Sequence, residues 1–239
     1  MLEVNPRASR TVPFVAKATG VPVAKLAAKV MAGVTLDELG LDREPIPAHV
    51  SVKESVFPFR KFVGVDIVLG PEMRSTGEVM GISERFSIAF AKSQLAAGVV
   101  LPKDGQIFIS VTERDKDLVA ALAERLHRLG FELIATAGTA RRLEDAGIPV
   151  EPVKKLVEGH PNLIDYLIDG KVSLILNTPN GKGARTDEGR IRAAAVQHGV
   201  SCITTFQAAE AAVMAMEALR EEEIKVQSLQ ERFAERAVN

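Results

Sequence analysis

The sequence predicts an α/β protein: a parallel-sheet, three-layer sandwich with five strands over residues 100–220, preceded by a stretch that closes no core of its own. Three observations carry that expectation. From Gln106 onward, short apolar runs alternate with longer stretches of helical period. Those runs lack the polar alternation of a half-solvated strand, so they belong to a sheet covered by helices on both faces. Residues 1–99, by contrast, hold few elements and much irregular, proline-broken chain. The organisation is therefore residues 1–99 as an incomplete tail with a connecting segment, and residues 100–239 as a folded domain with its charged end.

Taken in order, residues 2–4 read as the end of a strand and Asn5-Pro6-Arg7 as a turn. Helical stretches follow over 11–19 and 22–31, parted by Gly20 and Val21. Residues 42–70 are irregular, punctuated by Pro45, Pro47, Pro58 and Gly64, with a β-prone piece at 51–57. Residues 83–97 return to a helical period, with Phe86, Phe90 and Leu95 near one face. Next come a strand at Ile107-Phe108-Ile109, a helix over 116–129 stopped by Gly130, and a strand over 132–135. A short helix over 139–146 ends at Gly147; a weaker strand, 150–153, and a helix over 162–168 follow. The fourth strand, 172–176, leads to a helix over 187–198 ended by Gly199; the fifth, 201–204, leads to a helix over 207–219. The charged residues 220–239 are expected to prolong that helix along the surface.

The chain has 239 residues, enough at about 150 per domain for one domain and part of another. Thirty Lys and Arg face 31 Asp and Glu, so no basic field marks a nucleic-acid binder. Cys202 is the single cysteine and can form no internal bridge, which fits a reducing compartment. Apolar runs are too short to span a bilayer and no signal-peptide pattern opens the sequence, so a soluble, cytoplasmic protein is expected.

Ligands of open parallel sheets sit beyond the carboxyl ends of the strands. The residues there are Ser110, Thr112 and Lys116; Thr136, Gly138 and Thr139; Lys154 and Lys155; 177–183, including Asn177 and Lys182; and Thr204 with Thr205. Hydroxyls, amides, glycines and lysines suit a phosphate, since helix N-terminal amides donate, glycine admits the ligand and lysine supplies charge. Singly, each has a plainer role: Thr139 can cap its helix, the lysines can be solvated, and the glycines can make a turn. Neither a Walker loop nor a dinucleotide fingerprint is present. No His, Cys or carboxylate cluster appears at these strand ends; binding without chemistry is the simpler reading.

Two stretches carry a family resemblance. Glu3-Val4-Asn5-Pro6-Arg7-Ala8-Ser9-Arg10-Thr11-Val12-Pro13-Phe14 resembles the end of the second ATP-grasp unit in the large subunit of carbamoyl-phosphate synthase. Gly70-Pro71-Glu72-Met73-Arg74-Ser75-Thr76-Gly77-Glu78-Val79-Met80-Gly81 resembles that subunit just before its regulatory domain. The array after residue 100 is similar to the regulatory domain itself, whose fold is methylglyoxal-synthase-like.

The resemblance implies synthesis of carbamoyl phosphate from bicarbonate, ATP and glutamine-derived ammonia, for pyrimidine and arginine biosynthesis. It implies Mg²⁺ or Mn²⁺ on Glu3 and Asn5, with Arg7 and Arg10 beside the ATP phosphates, a donor set that suits hard cations and phosphate. It also implies nucleotide monophosphate effectors on Ser110, Lys116, Thr136, Thr139, Lys155, Asn177 and Lys182. Glu54 and Thr204 match positions associated with ornithine activation. Pro179 and Ala137 depart from the family pattern, at positions that usually hold a hydroxyl and a larger polar residue. The sequence opens at Met1-Leu2, directly before the metal motif, so the expectation is that this chain alone makes no carbamoyl phosphate and binds no cofactor. Implied partners are the remainder of the large subunit, the small glutaminase subunit and the effector. Self-association is expected through the apolar residues of the first 95. The alternative is a methylglyoxal-synthase-like phosphate lyase, which needs a carboxylate that 159–162 and 177–183 lack.

Overall fold

The structure is a computed structural model and describes residues 11–41, 43–56, 77–178 and 187–234. Two helices open it, α1 (Thr11–Thr19) and α2 (Val23–Met31), with Pro22 just ahead of α2. Strand β1 (Val50–Val56) pairs antiparallel with β2 (Gly77–Ser83), and α3 (Phe86–Ala96) follows. Strand β2 is not among the expected elements, and α3 begins three residues later than the periodicity suggested because β2 takes up Ser83.

The sandwich then runs β3 (Gln106–Ser110), α4 (Lys116–Arg128), β4 (Glu132–Thr136), α5 (Ala137–Asp145) and β5 (Glu151–Val153). It continues with α6 (Leu163–Ile168), β6 (Val172–Asn177), α7 (Asp187–His198), β7 (Ser201–Ile203) and α8 (Phe206–Glu221). The strands form the expected five-stranded sheet, all parallel, in the order β5-β4-β3-β6-β7.

Side-chain alternation divides each strand between two cores. Ile107 and Ile109 of β3 join Leu133 and Ala135 of β4 and Leu174 and Leu176 of β6 under α4, α5 and α8. Phe108, Ile134 and Ile175, on the opposite face, pack under Leu163 and Leu167 of α6 and Ile191, Ala194 and Ala195 of α7. Both faces are dry, which is why these strands read as unbroken apolar runs. The chain winds from β3 outward to β5 along one face, then returns to β6 and winds outward to β7 along the other. The winding direction therefore reverses between β3 and β6.

Helix α8 buries Ala209, Ala211, Ala212, Ala215 and Ala218. Small residues are required because α3 presses on α8 from outside while the sheet lies beneath. Backbone approach is closer still between α3 and the hairpin. A β-carbon on Gly81 would lie 1.9 Å from the Ala89 carbonyl oxygen and 2.6 Å from the Ser93 nitrogen. Only glycine fits there.

Residues 220–234 correct the expectation of a prolonged helix. The backbone turns extended at Glu222 (φ −143°, ψ 151°), and the chain returns along the molecule to α9 (Leu229–Ala234). Ser228 and Glu231 form a reciprocal cap at the start of α9. Arg85, just ahead of α3, binds Glu221 and Glu222 at 3.2 and 3.0 Å. Arg232 reaches Glu84 at 3.4 Å, and the Phe233 ring lies 6.1 Å from that of His49 and against Gly20. His49 in turn places Nε2 2.8 Å from the Ala18 carbonyl. No helix among the described residues is long and apolar enough to cross a membrane.

Candidate functional site

A cleft of about 300 Å³ opens beyond the carboxyl ends of β3, β4 and β6, at the place where the winding reverses. This is where an open parallel sheet leaves room for a ligand, because the loops on either side part in opposite directions. Ser110 ends β3 in register with Asn177, which ends β6. The Thr178 backbone N–H donates to the Ser110 carbonyl at 3.0 Å, carrying the ladder one step past the strands. Thr178 Oγ1 accepts from the Thr112 backbone N–H at 3.0 Å and fixes the loop that leads to Lys116.

That loop is further held by Asp115, whose carboxylate accepts from Thr112 Oγ1 at 2.9 Å. Burial alone would raise the Asp115 pKa. Hydrogen bonds from Thr178 and Thr112, with the Arg114 charge, outweigh it and hold the carboxyl below its ordinary range. Asp115 is therefore ionised and occupied, a poor proton donor, and it does not line the cleft.

Strand β4 delivers Thr136 and the start of α5. Helix α5 begins at Ala137, two residues earlier than expected, and no side chain caps it. Its first backbone N–H groups lack intrahelical partners and are available to a ligand. Thr139 is 1% exposed, and its Oγ1 accepts from the Val111 backbone N–H at 3.4 Å, which ties α5 to the β3 loop. It is not the helix cap. Thr136 Oγ1 lies 3.4 Å from Ser110 Oγ and 3.5 Å from Thr139 Oγ1, so the three hydroxyls form one cluster. Above them Lys116 places Nζ 3.5 Å from the point where a β-carbon of Gly138 would sit.

Asn177 is the least satisfied group in the cleft. It is 1% exposed, and its Nδ2 has no hydrogen-bond partner among the described residues. A buried amide that donates to nothing costs about 1–3 kcal/mol relative to one that is paired. Phe108, Leu156, Leu163 and Ile191 supply apolar wall, and Lys154 and Lys155 come from beyond β5. Lys154 is engaged, its Nζ donating to the His160 carbonyl at 2.5 Å. His160 Nδ1 faces the Asp165 carboxylate at 2.8 Å, and Asp165 also accepts from the Asn162 backbone N–H at the start of α6. His160 and Asp165 build the loop and do not line the cleft.

The structure thus gathers Ser110, Lys116, Thr136, Thr139, Lys155 and Asn177 in one place. Lys182 lies outside the described residues, as do Glu3, Asn5, Arg7 and Arg10. Glu54 and Thr204 are described but do not line the cleft. Glu54 stands on β1 and accepts from Gln94 Nε2 at 2.9 Å; burial pushes its carboxyl up, with the Gln94 and Ser55 hydrogen bonds opposing. Thr204 follows β7, next to Thr205, whose Oγ1 caps α8. Sequence reasoning missed Glu113 and Glu188, which line the cleft together with Asp187. A signal existed, because the start of α7 follows β6 and so also sits at a strand end. No group of three or more His, Cys, Asp or Glu among the described residues could hold a metal ion.

Comparisons with known proteins place both ends of the chain in one family context. Residues 118–204 match the MGS-like domain, and residues 1–39 match the carbamoyl-phosphate synthase L chain, ATP binding domain. The chain is 72% identical to the carbamoyl phosphate synthase large chain of Rhodopirellula baltica over 98% of its own length and 22% of that protein's. It is 54% identical to that of Myxococcus xanthus over 97% of its length and 21% of the relative's. For Methanothermobacter thermautotrophicus the identity is 53% over 97% of this chain and 22% of the relative. The chain therefore spans about a fifth of the length of the relatives it matches.

Proposed function

We propose that this chain, which belongs to the carbamoyl phosphate synthase large-chain family, is the regulatory part of such a large chain, and that its cleft holds the phosphate of a nucleoside monophosphate. The observation that carries the reading is Asn177: a buried donor without a partner among the described residues, set at the reversal point among Ser110, Thr136, Thr139 and Lys116. A phosphate oxygen supplies the missing acceptor. The free N–H groups of α5, the hydroxyl cluster and the Lys116 ammonium complete a shell of donors around it. The apolar wall of Phe108, Leu156 and Ile191 leaves room for the nucleoside.

The rest of the reading follows from kinship with the large chains. The whole enzyme joins bicarbonate, ammonia from glutamine and ATP-derived phosphate, serving pyrimidine and arginine biosynthesis in the cytoplasm. Glu3 and Asn5 hold Mg²⁺ or Mn²⁺ there, and Arg7 and Arg10 stand beside the ATP phosphates. Its partners are the remainder of the large chain and a glutaminase subunit, with self-association through the first 95 residues. The lyase alternative is not favoured: the relatives are synthase large chains, and Asp115 is committed to its loop.

Calorimetric titration with uridine and inosine monophosphates tests the binding half. Saturable heat is expected, weakened in Lys116→Ala and Thr139→Ala. No heat and no thermal stabilisation at millimolar nucleotide would overturn it. Incubation with dihydroxyacetone phosphate is expected to yield no methylglyoxal.

A further inference from the structure

The cleft holds its own anion. Lys116 Nζ lies 2.6 Å from Glu113 Oε2, and both side chains line the cavity. The lysine is largely sheltered, 24% exposed, whereas the glutamate is 86% exposed and extends from the loop into solvent. The pairing is local to the site, since Glu113 belongs to the short 3₁₀ turn (Glu113–Asp115) that the Thr112–Asp115 and Thr112–Thr178 hydrogen bonds hold in place. A phosphate that uses the Lys116 charge competes for it with this carboxylate.

We propose that Glu113 is an internal counter-ion: it occupies Lys116 in the unliganded protein, gives it up to the incoming phosphate, and so sets the affinity of the cleft. This rests on the reading of the cleft as a phosphate site. Ligand binding is then an exchange of one anion for another, and only the difference between the two pairings appears as affinity. An exposed carboxylate returns to water at little cost, so it leaves readily, yet its pairing must be lost. Asp187 and Glu188 add negative charge across the cleft without reaching Lys116 at ion-pair distance. The displaced Glu113 joins them at the mouth, and the liganded cleft carries acidic groups around a bound anion.

The test is calorimetric titration of the full chain with uridine and inosine monophosphates at low salt. The proteins compared are wild type, Glu113→Gln, Lys116→Ala, the double variant, and Glu124→Gln. Glu124 pairs with Arg128 on α4, does not line the cleft, and controls for a general change in net charge. Glu113→Gln is expected to tighten binding about two- to five-fold, the range an exposed ion pair allows. Glu124→Gln is expected to leave it unchanged. In the Lys116→Ala background the gain from Glu113→Gln vanishes, read by thermal shift at millimolar nucleotide if the heats are small. Equal or weaker binding by Glu113→Gln overturns the inference, as does a gain that persists without Lys116 or that Glu124→Gln reproduces. In either case the phosphate site itself stands as long as wild type binds. Binding by Glu113→Gln alone supports both; binding by neither overturns both.

Discussion

Thr112 Oγ1 donates a 2.9 Å hydrogen bond to Asp115 Oδ2, and both residues are buried. With the Asp115 backbone N–H donating to the Thr112 carbonyl at 3.0 Å, this bond closes the turn after β3 and places the next residue, Lys116, over the start of α5. Asp115→Ala removes the acceptor and leaves the Thr112 and Thr178 hydroxyls with one fewer partner. The expected loss is about 1–3 kcal/mol of stability in urea unfolding, together with weaker nucleotide binding. The pH dependence has a definite sign. A carboxyl held below its unfolded pKa of about 3.9 stabilises the fold fully above that value, and the contribution is lost as pH falls through the folded value. Wild type and variant should therefore converge in stability in strong acid and differ by a constant amount above about pH 5. A difference that grows toward neutral pH would contradict the assignment.

Asn177 offers a separation of stability from binding. Its Nδ2 has no partner among the described residues, so Asn177→Ala, which removes the amide without overpacking the site, should cost no more than about 1–2 kcal/mol. Nucleotide affinity should fall at least about ten-fold, since a hydrogen bond to a charged phosphate is lost. A variant that fails on stability and not on binding would reverse this reading.

Gly81 predicts a packing failure. An added methyl group would press on the backbone of Ala89 and Ser93, neither of which can rotate away. Gly81→Ala is expected to destabilise by about 1–3 kcal/mol. Gly77, in the same strand with nothing within 4 Å among the described residues, is the control, and Gly77→Ala should stay within about 0.5 kcal/mol of wild type. Chemical denaturation distinguishes the two.

Phe233 anchors the returning tail against Gly20 and His49. Because the ring is only partly buried, Phe233→Ala should cost about 1–2 kcal/mol, less than a core phenylalanine. Limited proteolysis should then cut near α9 first, while amide exchange in β3 and β6 stays protected. Unchanged protease resistance at α9 would show that the ion pairs of Arg232 and Arg85 hold the tail without the ring.

The sheet was legible because its strands are buried on both faces, so Ile107-Phe108-Ile109 and residues 172–176 show as apolar runs between glycine-stopped helices. The cleft was legible through one topological rule, since strand ends alone pick out Ser110, Thr136 and Asn177. Strand β2 was not legible: Gly77–Ser83 mixes two glycines, a glutamate and a methionine, and its partner β1 ends at Val56, far back along the chain. The return of α9 escaped notice because Phe233 is one aromatic in a charged run, and what holds it is Gly20, more than two hundred residues away in sequence. Glu113 was overlooked for another reason. Its role depends on which way two side chains point, and spacing does not report that.

The reversal of winding between β3 and β6 has a consequence for cohesion. The sheet is two half-sheets, one wound from β3 to β5 and the other from β6 to β7, joined along one seam of parallel pairing. The donors of the cleft are shared between them: Ser110, Thr136 and Thr139 belong to one half and Asn177 to the other. On the proposed reading, a phosphate there is a rivet through the seam, and its binding free energy adds to the work of pulling the halves apart.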